Sequence, residues 1–170
     1  LKKDDFKNTE RSLVYDLTPY DQTLLLDTDY IVSNDIFKSC FVQPHDFLIY
    51  SGGIEVTGTK NTEEFNYITK TGPRFYWATA IFFRKTQKTN LLFELTKHIQ
   101  QNWSHYVNLY QIPSSLIRND FIFSIAIHIL NGHQAGDFAK SMPGTMFYTI
   151  DRDELLSLTD DKFTFFSNKE

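Results

Sequence analysis

The sequence predicts an α/β domain in which a sheet is covered by helices. Three observations predict it. Strand-like and helix-like segments interleave along the chain; its 170 residues are 41% apolar and 22% charged; and 16% are aromatic, with sixteen Phe and nine Tyr. Alternating periodicities argue for packed layers, and that many rings need thick layers to cover them. The length fits one domain, residues 1–170, with enough buried area for a real core.

Residues 4–17 place Phe6, Leu13, Val14 and Leu17 among charges, the pattern of a short amphipathic helix that Thr18-Pro19 ends. Gln22 to Leu26 is an unbroken run bounded by acids, expected as a buried central strand. Ser33-Asn34-Asp35 reads as a turn or cap before Ile36. Phe47–Tyr50 and Ile54–Val56 flank Ser51-Gly52-Gly53, a hairpin signal. Residues 57–73 are polar and read as a mobile loop, and Phe75–Phe83 as a strand left through Arg84-Lys85. A helix stripe runs from Asn90 to about Tyr110. A second helix, apolar nearly all round and hence buried, is expected from Ser114-Ser115 to a stop at Asn131-Gly132. The tail reads as a strand at 146–150, a short polar helix or turn at 151–161, and a last strand at Phe163–Phe166.

Charge and cysteine usage narrow the function. The net charge is −4 and no basic run exists, which argues against a nucleic-acid partner. The one cysteine, Cys40, leaves no internal disulfide and suits a reducing, cytoplasmic setting. No apolar run approaches a membrane span, and the first residues do not form a signal peptide.

The residues with chemical potential are Asp27 and Asp29. Carboxylates are costly inside a buried strand, so two of them directly after Leu24-Leu25-Leu26 belong at its C-terminal edge, where open α/β sheets bind ligands. In an extended chain alternate residues point the same way, so both acids reach one ion while Thr28 faces elsewhere. Oxygen ligands of this kind suit Mg²⁺ or Mn²⁺ together with diphosphate oxygens. A strand end followed by an ordinary turn also contains Asp, and that reading stays open.

The stretch Tyr15 to Ile36, with Pro19-Tyr20-Asp21 before the apolar run, Asp27-Thr28-Asp29 after it and Asn34-Asp35-Ile36 beyond, resembles the GT-A glycosyltransferases, of the glycogenin-like and lipopolysaccharide galactosyltransferase-like kind. Tyr76–Lys85, followed by a long amphipathic helix, and Arg118–His128 stand where those proteins have their next strand and a buried helix, so the likeness covers about residues 8–132. It implies a mixed sheet flanked by helices, and a metal-dependent transfer of a sugar from a nucleotide-diphosphate donor to an acceptor hydroxyl. Asp27 and Asp29 would hold Mn²⁺ or Mg²⁺, with Asp29 making the firmer contact. Arg11, Asp27 and Thr28 would bind the donor. Asn119 and Asp120 would stand near the transferred sugar or acceptor, with Asp120 the base if the enzyme inverts. Tyr76 and Trp77 would line the acceptor side.

Other roles compete with these. Arg11 also reads as an exposed helix charge, Asn119 and Asp120 as a helix cap, and the two aromatics as core. Only twenty-six residues precede Asp27, so the family's first nucleotide-binding strand is expected to be missing and the chain to be a fragment of the full domain. Trp77-Ala78-Thr79-Ala80 replaces the family's Asn-Ala-Gly, and His133 lacks the family's neighbourhood for a late metal-binding His. Two rivals follow: a non-catalytic module of the same fold, and a haloacid-dehalogenase-type phosphatase, which Tyr30-Ile31 after the acid pair argues against.

Overall fold

Phe82 and Phe83 point to opposite faces of one strand, and two cores follow from that alternation. The structure, a computed structural model, describes residues 9–32, 34–56, 66–69, 72–113, 115–149, 154–159 and 162–166. The chain has the mixed α/β character expected. Its main sheet is three-stranded, in the order β1 (Gln22–Leu26), β4 (Trp77–Arg84), β2 (Phe47–Tyr50), with both neighbours antiparallel to β4. Parallel pairing occurs elsewhere, between β3 (Ile54–Glu55) and β5 (Phe147–Tyr148). A hairpin, β6 (Glu154–Leu158) with β7 (Phe163–Phe166), makes the third sheet.

One sheet face carries Phe47, Ile49, Ile81 and Phe83 and packs on α3 (Gln87–Gln101) and α5 (Asn119–Leu130) through Leu92, Phe93, Phe123 and Ile127. The other carries Leu48, Tyr50, Ala80 and Phe82, covered by Phe37, by Cys40 of α2 (Lys38–Val42), and by Met142 and Met146. Thr86 and Thr89 close a capping box that starts α3.

Several expectations change. The first helix is a 3₁₀ turn, Thr9–Leu13, running into α1, Val14–Leu17, and ends at Thr18 as the Pro requires; residues 4–8 lie outside the described residues. β1 has the expected bounds but stands at the sheet's edge rather than its centre, because β4 is the strand with two partners. The segments either side of Gly52-Gly53 do not pair with each other. The Ile54 N–H instead donates to the Met146 carbonyl at 2.9 Å. Gly53 allows that approach, since a Cβ there would lie 2.6 Å from the Met146 Cε. The long helix breaks at Asn102 into α3 and α4 (Trp103–Tyr110). The next helix begins at Asn119, not Ser114-Ser115, because Arg118 is still extended; Ser114 itself is outside the described residues. It stops as expected, at a Gly132 with φ of +72°. Within 151–161, expected as polar helix or turn, Glu154–Leu158 is strand, zipped onto the Phe-rich β7. Most of the expected loop at 57–73, and residues 150–153, 160 and 161, lie outside the described residues.

Candidate functional site

The N-terminal helix is pinned to α3. Ser12 donates to Gln100 Oε1 at 2.9 Å, Tyr15 to the Thr86 carbonyl at 3.2 Å, and Lys97 to Asp16 Oδ2 at 2.6 Å. This fixes Arg11, whose side chain is 6% exposed, over the end of β1, where its guanidinium ion-pairs with Asp27 Oδ1. Arg11 is thus no exposed helix charge.

Asp27 makes the last rung to β4, its N–H donating to the Thr79 carbonyl at 2.9 Å. The chain does not then stay extended. The Tyr30 N–H bonds back to the Asp27 carbonyl at 3.1 Å, closing a turn over Thr28 and Asp29. The alternation that was to turn Thr28 away therefore does not apply, and Asp27, Thr28 and Asp29 all line one cleft. Burial raises the Asp27 carboxyl above its ordinary range, outweighing the lowering by Arg11, with Asp29 and Asp120 adding to the rise.

The cleft, of about 900 Å³, also receives Arg118, Asn119 and Asp120 from the start of α5, and Glu10, Trp77 and Thr79. No side chain caps α5. Asp120 leaves its helix's first backbone N–H groups uncapped: Oδ1 accepts the Ala78 N–H at 2.8 Å and Oδ2 the Arg118 guanidinium at 2.8 Å. Tyr76 is buried on the opposite side of the strand and lines a separate cavity with His128 and Asn131, so only Trp77 of that pair faces the acids. His133 lines neither that cavity nor the cleft; its ring lies edge-on to His128 at 5.4 Å.

Comparison of the chain with protein-family models, with curated proteins and with solved structures finds no match. The site therefore stands on its own chemistry.

That chemistry is acid-rich. Four carboxylates, of Glu10, Asp27, Asp29 and Asp120, face two guanidiniums, of Arg11 and Arg118, around one space. Among the described residues no group of three or more His, Cys, Asp or Glu side chains converges as a cation cage. Mg²⁺ and Mn²⁺ need fewer protein ligands when substrate phosphates and waters complete the shell, and Asp27 and Asp29 are two carboxylates of one turn lining this space. Sequence reasoning passed over Arg118 and Glu10. Arg118 directly precedes Asn119-Asp120 in the sequence, but its place before the helix, where the chain is still extended, is set by the structure and not by the expected start at Ser114-Ser115.

Proposed function

We propose that the chain is a metal-dependent glycosyltransferase domain, moving a sugar from a nucleotide-diphosphate donor to an acceptor hydroxyl. The observation that carries the reading is the convergence of Arg11, Asp27, Asp29, Asn119 and Asp120 on one cleft with an excess of acid. These residues come from three segments far apart in sequence, and motif resemblance alone does not require them to meet. A diphosphate entering such a cleft is repelled unless a cation lies between it and the acids.

Asp27 and Asp29 would hold that cation, which when bound supplies charge neutralisation at the leaving diphosphate. Arg11 holds Asp27 in place. Arg118, steered by Asp120, offers a second positive group to the phosphates. Trp77 walls the cleft where the sugar would lie. The buried thiol of Cys40 suits a cytoplasmic location.

The test is thermal denaturation with Mn²⁺ and a panel of nucleotide-sugars. A donor present at about 100-fold over its Kd should raise Tm by roughly 5–10 °C, and Asp29→Ala should abolish the rise. No rise with any donor rules the reading out. One observation favours a second reading, a non-catalytic module of the same fold: Arg11 already neutralises Asp27 from within the chain. That reading expects no rise.

A further inference from the structure

A second cleft, of about 610 Å³, meets the first over the Asp27–Asp29 turn and shares with it Asp27, Asp29, Trp77, Thr79 and Arg118. Its far wall is different in kind. Trp77 stacks on Tyr148 with centroids 5.5 Å apart at 25°, and Phe147, Phe163 and Phe165 continue the aromatic surface. These rings come from three strands, β4, β5 and β7, of three different sheets. Two of them stay in water: Phe147 is 56% exposed and Phe163 37%. Rings left wet beside hydroxyls and charges mark a surface that takes a ligand.

We propose that this second cleft binds a saccharide, seated by its C–H face on the aromatic wall and by its hydroxyls on the shared polar rim. An aromatic face is electron-rich and attracts the weakly positive C–H groups on one side of a pyranose ring. The polar edge of such a ring meets Thr79, Thr145 and the carboxylate of Asp29, which accept or exchange hydrogen bonds with hydroxyls. The volume lies within the range of small-ligand sites and suits one or two sugar units rather than a folded protein surface. Naming this saccharide the acceptor rests on the transferase reading; the binding itself does not.

The experiment is saturation-transfer NMR on the full chain with lactose, maltose and methyl glucoside as probes, and p-cresol as an aryl control. Sugar C–H protons should receive saturation. Tyr148→Ala and Phe163→Ala should each weaken binding about fivefold, Tyr148→Phe should restore it, and all three variants should keep the parent's circular dichroism at the temperature of the binding measurement. Binding of p-cresol without the sugars, or sugar binding indifferent to both alanine variants, overturns the proposal. Donor-induced thermal stabilisation is measured on the same samples. Its absence alongside ring-dependent sugar binding removes the transferase reading and leaves the saccharide site; its presence without ring-dependent sugar binding does the reverse.

Discussion

Asp120 and Ala78, 42 residues apart, are joined by a 2.8 Å hydrogen bond from the Ala78 backbone N–H to a carboxylate oxygen. N–H groups along β4 alternate between its two neighbours. Ala78 falls on the β2 side, where the register shifts between Ile49 and Tyr50 and no rung forms. The carboxylate replaces the missing strand partner, and so ties the start of α5 to the cleft floor. Asp120→Ala should cost about 1–3 kcal/mol in urea denaturation, since it orphans a buried N–H, while Asp120→Asn keeps an acceptor and should cost less than about 1 kcal/mol. If instead Asp120 is the proton acceptor of the reaction, Asp120→Asn abolishes turnover at unchanged stability. Equal stability of the two variants would contradict the structural role.

Arg11 should contribute in two opposite directions. Its removal in Arg11→Ala leaves Asp27 partly buried without its counter-ion and strips a packed side chain, a loss of about 1–2 kcal/mol given that Asp27 keeps 27% exposure. The same change removes a competing cation, so Mn²⁺ should bind the variant more tightly than the parent, by calorimetric titration. Weaker Mn²⁺ binding in the variant would show that the guanidinium assists rather than competes.

The raised Asp27 pKa has a definite sign in the pH dependence of stability. The folded protein holds this proton more tightly than the unfolded chain does, so the group favours folding below its ordinary 3.8. That contribution falls away as pH rises from 3.8 through the folded-state value. In Asp27→Asn the fall should vanish, and the difference in unfolding free energy between variant and parent should grow in favour of the variant across that window. A difference that stays flat with pH would mean the side chain is not held in a desolvated setting.

Local chemistry explains which features were legible in the sequence. Gln22–Leu26 was readable to the residue because five residues without charge sit between acids, and the stop of α5 because Gly132 can take a positive φ. The partners of strands were not readable. Gly52-Gly53 is as good a signal for a close backbone approach as for a hairpin, and only the position of Met146 decides between them. The edge position of β1 and the break at Asn102 likewise depend on what packs against them. The acid pair was legible as chemistry, but its geometry was not: a turn bond from Tyr30, invisible in the residue pattern, sets where Asp29 lies. Arg118 was missed because its role arises from Asp120 turning toward Ala78 and taking the guanidinium with it.

Gly132 isolates a backbone cost. Its φ is +72°, and a Cβ added there would meet nothing within 4 Å. Gly132→Ala should therefore destabilise by about 1 kcal/mol through conformation alone, read as a lower urea midpoint with unchanged slope. A loss several times larger would point to contacts made by the backbone beyond the helix stop.

Arg118 separates binding from folding. Its side chain is 41% exposed, lines both clefts, and is held by one carboxylate and by the Phe121 ring 5.6 Å away, so truncation removes few contacts. Arg118→Ala should change stability by less than about 1 kcal/mol. If the guanidinium meets a diphosphate through charge-assisted hydrogen bonds, the same variant should lose roughly 10–100-fold in nucleoside-diphosphate affinity in the presence of Mn²⁺. Arg118→Lys should recover only part of it, because an ammonium lacks the planar fork that grips two oxygens at once. Arg118 also stands on the rim of the second cleft, so its loss should weaken sugar binding less than loss of Tyr148 or Phe163 does. Isothermal titration with a nucleoside diphosphate, alongside the saturation-transfer measurement, reads both arms on one preparation. Undiminished diphosphate affinity in Arg118→Ala would leave the phosphates to the metal and Arg11 alone.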